Sequence, residues 1–137
     1  MSTTKPLDGI KVIEISTIIT ASLSAMMLSD QGAEVIKIEQ TGFGDPLRYL
    51  GTQKGGISAI FANTNRGKKS IELDLKNESD LEQAKKLISE ADVLINNFRP
   101  GVMDSLGLGK EDCKALNKNL IYVAITGFGK EGPYANA

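Results

Sequence analysis

Histidine is absent from this 137-residue chain, and cysteine occurs once, as Cys113. The first absence excludes an imidazole general base, a Ser-His-Asp triad and any histidine metal ligand within these residues. The second excludes an intrachain disulfide and a cysteine-rich zinc centre, and a lone thiol fits a reducing, cytoplasmic setting. No segment approaches the roughly 18 uninterrupted apolar residues of a membrane span, and residues 1–5 are polar rather than signal-like. Excess charge of either sign is also lacking. Sixteen basic residues face 17 acidic ones for a formal net charge of -1, which argues against a broad nucleic-acid or anionic-membrane surface. No internal repeat, low-complexity tract or interdomain linker stands out. What is present, 41% hydrophobic and 24% charged residues, is the mix and size of one globular domain.

Short β-branched runs alternate with helical patterns, the rhythm of parallel βαβ units. KVIEIS (11–16) predicts the first strand, followed by a polar turn and an apolar helix over 21–31 that Gly32 ends in a left-handed cap. EVIKIE (34–39) predicts the second strand. Residues 41–56 hold five glycines and Pro46 and read as a long rim loop. A short helix over 57–63 and the turn NRGKK lead to a third strand over 70–75. Ser79-Asp80-Leu81-Glu82 fits a capping box, and Leu81, Ala84, Leu87, Ile88 and Ala91 line one face of the helix it opens. Residues 93–97 predict a buried fourth strand, 99–108 an irregular or short helical connection, 110–117 a short helix and 120–126 a fifth strand. The pattern specifies an α/β fold: a Rossmann-like, doubly wound, mostly parallel sheet whose ligands bind beyond the strand C-termini.

The first βα turn, Ser16-Thr17-Ile18-Ile19-Thr20-Ala21, lacks the glycines of a dinucleotide fingerprint. Glu39 ends the second strand about 20 residues on, where a carboxylate holds an NAD ribose; a surface glutamate is the alternative. ANTNRGKK resembles a phosphate loop but has Ala62 and Lys69 at its first and last defining places. Arg66, Lys68 and Lys69 suit either a polyanionic ligand or a solvated basic turn, and Lys76 has the same two readings. Asn97-Phe98-Arg99 brings an amide, a ring and a guanidinium to one strand end, which suits an adenine nucleotide; the alternative is a turn former, a core residue and a surface cation. Gly127 to Pro133 reads as a lid or an exit turn. Cys113 has no base to activate it, and neither Asp45 nor Asp92 has a visible acid/base partner.

Taken together, PLDGIKVIEIS, LSDQGAEVIKIEQ, GFGDPLR, NTNRGKKSIELDLK, ADVLINNFRPGVMDSLGLG and LIYVAITGFGKEGPY resemble the N-terminal part of class III CoA-transferases. That family includes formyl-CoA transferase, carnitine CoA-transferase and the related alpha-methylacyl-CoA racemases. The resemblance runs from Pro6 to Tyr134. It implies a Rossmann-like large domain that binds the adenosine diphosphate end of coenzyme A, in proteins that form interlocked dimers. It sets Leu73 and Lys76 beside the CoA nucleotide, Asn97 and Phe98 at the adenine, and Arg99 in the family's RPG motif. Gln40 stands where some members have a phosphate-binding arginine, and Ser105 replaces another. Thr20-Ala21-Ser22 replaces the usual Ala-Gly-Pro, and Thr17 and Ile19 occupy positions that are His and Gln in formyl-CoA transferase.

The family's transferases use an aspartate nucleophile and its racemases a His/Asp pair, both downstream of the segment matching GFGKEGPY. The expectation is therefore one domain over residues 1–137, the CoA-binding part of the large domain, without the second domain or the C-terminal return. Such a chain would be catalytically incompetent alone. It would take CoA or an acyl-CoA thioester, with no catalytic residue, metal, nucleic-acid or membrane partner of its own, and would associate as a homo-oligomer or with a missing complementary chain. The alternatives are a segment of a racemase-like enzyme, a non-enzymatic assembly or regulatory module, and an NAD-binding domain disfavoured by the missing glycines.

Overall fold

The computed structural model describes residues 4–135, so the first three residues of the polar N-terminus lie outside it. Strand β1 (Lys11–Ile15) leads into helix α1 (Thr20–Asp30) and strand β2 (Glu34–Glu39). A 3-10 turn (Pro46–Tyr49) and a two-stranded ribbon, β3 (Gln53–Lys54) with β4 (Ile57–Ser58), precede α2 (Ala59–Asn65). Then come β5 (Lys69–Glu72), α3 (Glu78–Ser89), β6 (Val93–Asn96), α4 (Val102–Ser105), α5 (Lys110–Leu116) and β7 (Ile121–Ala124). The expected rim loop over 41–56 thus contains the 3-10 turn and part of the small antiparallel ribbon. Asp45 starts that turn by accepting Leu47 N–H at 2.8 Å, and Pro46 supplies a fixed φ at its first position.

Five strands form one parallel sheet in the order β5-β2-β1-β6-β7, the doubly wound arrangement in which β1 is central and the winding reverses between β1 and β6. Register is set by alternation: Val12 pairs with Val35 and Val93, and Ile13 with Ile36 and Leu94. Ile13, Ile15, Ile38 and Leu94 pack with Ala84 and Ile88 of α3, Met103 and Cys113 on one face. Val12, Val35 and Ile95 pack with Ala21 and Ala25 of α1 on the other. Small side chains on α1 let that helix lie close to the sheet.

Helix ends follow local chemistry. At the end of α1, Gly32 N–H bonds Ser29 O and Ala33 N–H bonds Leu28 O, a Schellman motif that requires the left-handed backbone Gly32 adopts (φ +106°). A Cβ there would meet Asp8 Oδ1 at 2.5 Å. Helix α3 begins earlier than the capping box predicts. Asn77 is its cap, accepting the Ser79 and Asp80 amides at 3.0 and 3.4 Å, and the Ser79 hydroxyl donates to the same oxygen. Asparagine wins because its carbonyl reaches two free amides at once, and Glu82 turns instead to Lys85. The third and fifth strands are shorter than their sequence runs suggest, because both lie at sheet edges with a single ladder each. Among the described residues no helix is long and apolar enough to cross a membrane.

Candidate functional site

The strand C-termini converge on one rim. Beyond β1, β2 and β5 lies a cleft of about 660 Å³, walled by Ser16 and Thr17, by Gln40 and Thr41, and by the segment from Leu73 to Asn77, with Phe98 closing it beside β6. A smaller cleft of about 320 Å³ lies on the other side of Phe98, between Asn97, Arg99 and Phe128. Of the residues singled out from the sequence, Gln40, Leu73, Lys76 and Phe98 therefore share the larger cleft, while Asn97, Phe98 and Arg99 share the smaller. Leu73 is buried and tied to β2 through its N–H to Glu39 O at 2.9 Å. Lys76 and Arg99 are exposed, and no ion pair among the described residues involves either. Both cations are free to meet an anion.

Asn97 is not free in the same way. Its Oδ1 accepts Thr17 N–H at 3.0 Å, and its Nδ2 donates to Thr17 O at 2.7 Å and Thr20 Oγ1 at 3.1 Å. The amide so clamps the first βα turn to β6 across the switch point. The next residue, Ile18, has φ +65°, the one non-glycine positive φ among the described residues. A β-branched residue in this region is a genuine outlier, storing on the order of 1–3 kcal/mol. Asp45 meets it: Oδ1 accepts Ile18 N–H at 3.1 Å as well as Leu47 N–H.

Beneath this turn lies a buried charge cluster that the sequence reading missed. Lys37 Nζ is 2.6 Å from Glu14 Oε1 and 2.9 Å from Asp45 Oδ2, and Lys68 Nζ is 2.6 Å from Glu14 Oε2. All four side chains are at most 3% exposed, and their formal charges cancel. Ser16 and Ser22 hydroxyls donate to Glu14 at 2.6 and 3.0 Å. Asp45 Oδ2 is fully buried and its contact is the Lys37 ammonium at 2.9 Å, which also donates to Glu14, Ser22 and Ser16. Burial pushes the Glu14 carboxyl up, but Lys37 and Lys68 outweigh it and hold the group below its ordinary value. Burial lowers Lys68, with Glu14 opposing. The missed signal was an acid and a base, Glu14 and Lys37, in the middle of strands that parallel packing should make apolar on both faces.

The basic turn splits: Lys68 is buried, whereas Arg66 and Lys69 stay exposed to water in surface ion pairs. Lys68 turns inward, Arg66 pairs with Asp30 at 2.5 Å, and Lys69 pairs with Glu34. Glu39 is neither a ribose ligand nor a surface residue. Its buried carboxylate takes two contacts of 2.7 Å from Arg48, one from Ser70 Oγ and one from Asp45 N–H. Burial would raise it, yet these donors bring it down to about 2. Arg48 also stacks 4.0 Å over Phe61, which fastens the rim loop to α2. Cys113 is buried, with burial and then Asp112 pushing its thiol up to about 11. Among the described residues no group of three His, Cys, Asp or Glu side chains is arranged to hold a metal.

A family model described as CoA-transferase family III matches residues 7–137. The chain is 44% identical over 131 residues to acetyl-CoA:oxalate CoA-transferase of Acetobacter aceti, covering 96% of this chain and 34% of that protein. It is 40% identical over 134 residues to the succinyl-CoA–L-malate CoA-transferase beta subunit of Chloroflexus aurantiacus, covering 97% and 33%. Among solved structures, a CAIB/BAIF family protein from Brucella suis superposes with a TM-score of 0.91 at 43% identity, over 97% of this chain and 36% of that one. The chain spans about a third of the length of the relatives it matches. The family model spans residues 7–137 and the fold superposes closely on a solved relative, and the chain belongs to CoA-transferase family III.

Proposed function

We propose that this chain is the CoA-binding portion of a CoA-transferase, which moves CoA between an acyl-CoA thioester and a carboxylic acid. The observation that carries the reading is the cleft beyond β1, β2 and β5, which in a family III chain has the size of a cofactor site and meets the sheet at its switch point. In this reading Phe98 packs against the adenine, Leu73 gives the nucleotide an apolar floor, and the free ammonium of Lys76 meets phosphate oxygens. Arg99 supplies a second cation from the neighbouring cleft. Gln40 offers an amide where a cation would bind phosphate more strongly. Asn97 acts mainly through the turn it clamps, since its amide protons are already committed.

Attack on the thioester is the work of an aspartate that we assign to family sequence outside these residues. The nucleophile would expel CoA as thiolate, form a mixed anhydride and later take CoA back for delivery to the acceptor. These residues would hold the leaving thiolate's nucleotide end during that exchange. We further assign the protein to the cytoplasm and to an assembly with a second copy or a complementary chain; the name of the Chloroflexus relative as a beta subunit supports the latter.

Titration calorimetry with CoA and with NADH tests the reading. We expect CoA to bind and NADH not to compete. Lys76→Ala should weaken CoA about 5–10-fold, the loss of one charge-assisted contact. Displacement of CoA by NADH, or no CoA binding at millimolar concentration, would overturn it.

A further inference from the structure

We propose that Asp45 is a positioning residue: its buried carboxylate holds the Ile18 amide and so fixes the turn that walls the larger cleft. The proposal rests on the CoA reading for its ligand, though its structural core does not. Thr17 forms part of the cleft wall, and both of its backbone polar groups are tied to Asn97 on the β6 side. Its neighbour Ile18 then enters a left-handed conformation that isoleucine disfavours by itself. Glycine would adopt this shape without help, so in isoleucine the shape must be imposed.

The imposing contact is Asp45 Oδ1, which bridges Ile18 N–H and Leu47 N–H and thereby couples the turn to the rim loop. Lys37, 2.9 Å from the other oxygen, fixes the carboxylate's orientation, and Asp45 itself is 1% exposed. Released from Asp45, Ile18 would relax toward extended backbone. The Thr17–Ile18 peptide would then swing and the wall of the cleft would change shape. Strained residues held by surrounding structure are typical of ligand-facing turns.

Two measurements on the intact chain test this. In the unaltered protein the Ile18 amide should exchange with solvent as slowly as Leu47, which shares its acceptor; rapid exchange at Ile18 alone would overturn the proposal without any variant. CoA affinities are then compared for Asp45→Asn, Asp45→Ala, Ile18→Gly and the Asp45→Ala/Ile18→Gly double variant. Asp45→Asn keeps the bridging oxygen and should stay within about threefold of the unaltered chain, whereas Asp45→Ala should lose about tenfold and leave Ile18 unprotected. The double variant should recover to within about threefold, because glycine needs no imposed conformation. Equal weakening in the isoleucine and glycine backgrounds, or full Ile18 protection in Asp45→Ala, would overturn the role. A chain that binds no CoA defeats the functional reading instead, and the exchange data still decide whether Asp45 holds the turn.

Discussion

Replacing Lys37 with methionine keeps the length of the side chain and removes its charge, which isolates what the buried cluster contributes. Lys37 is 1% exposed and faces two carboxylates at 2.6 and 2.9 Å. Each contact corresponds to about 6 kcal/mol of Coulomb attraction at an effective dielectric of about 20, before desolvation is charged against it. Glu14 retains Lys68 after the substitution, but Asp45 is left buried with no cation in contact. Breaking one partner of a buried ion network costs about 3–5 kcal/mol, against a typical domain stability of about 5–15 kcal/mol. With a urea dependence of roughly 1.5–2 kcal/mol per molar, the unfolding midpoint should fall by about 1.5–3 M at pH 7. Circular dichroism during urea titration measures it. The companion variant Lys37→Met/Asp45→Asn removes the orphaned charge and should recover more than half of the loss. A single variant within about 1 kcal/mol of the unaltered chain, or a double variant no better than the single, would refute the account.

Two further outcomes follow from groups nearby. Glu39 sits at about 2 in place of its ordinary 4.5, which converts to about 3 kcal/mol, reduced to about 2 kcal/mol because Arg48 is partly exposed to screening water. A depressed carboxylate stabilises above its unfolded pKa and loses that contribution as pH drops through its folded one. The stability difference between the unaltered chain and Glu39→Gln should therefore be about 2 kcal/mol at pH 7 and shrink between pH 4.5 and 2; a difference independent of pH contradicts it. Cys113, with its thiol near 11 and its Sγ donating to Leu108 O at 3.3 Å, should react with a thiol reagent at pH 8 only as fast as the fold opens globally. Rapid labelling of the native chain would show that the thiol is not buried as described.

The strands and their parallel arrangement were legible because β-branched runs recur at βαβ spacing, and a cleft at the strand C-termini was to be expected of such a sheet. Gln40, Leu73, Lys76, Asn97, Phe98 and Arg99 all fall on that rim, drawn there by family resemblance more than by residue pattern. What the sequence hid was pairing. Glu14, Lys37 and Lys68 are far apart in the chain, and only the β1–β2 register and the α2–β5 turn bring them together. Asn77 displaced Ser79 as the cap of α3 for a similar reason: both residue types fit, and the choice depends on where the backbone turns. Ile18 was unreadable in principle, since nothing in local propensity predicts a left-handed isoleucine.

The central position of β1 bears on how the chain is made. Val12 finds one neighbour in Val35 but the other only in Val93, after 81 further residues, 93 minus 12. At about 5–20 residues per second, a ribosome takes roughly 4–16 s to supply that second neighbour. Throughout that interval β1 has an open hydrogen-bonding edge, and Asn97, which clamps the turn above it, does not yet exist. Pairing of β1 on both of its edges therefore waits for β6, and the half-built β2–β1 pair is the species most in need of chaperone cover.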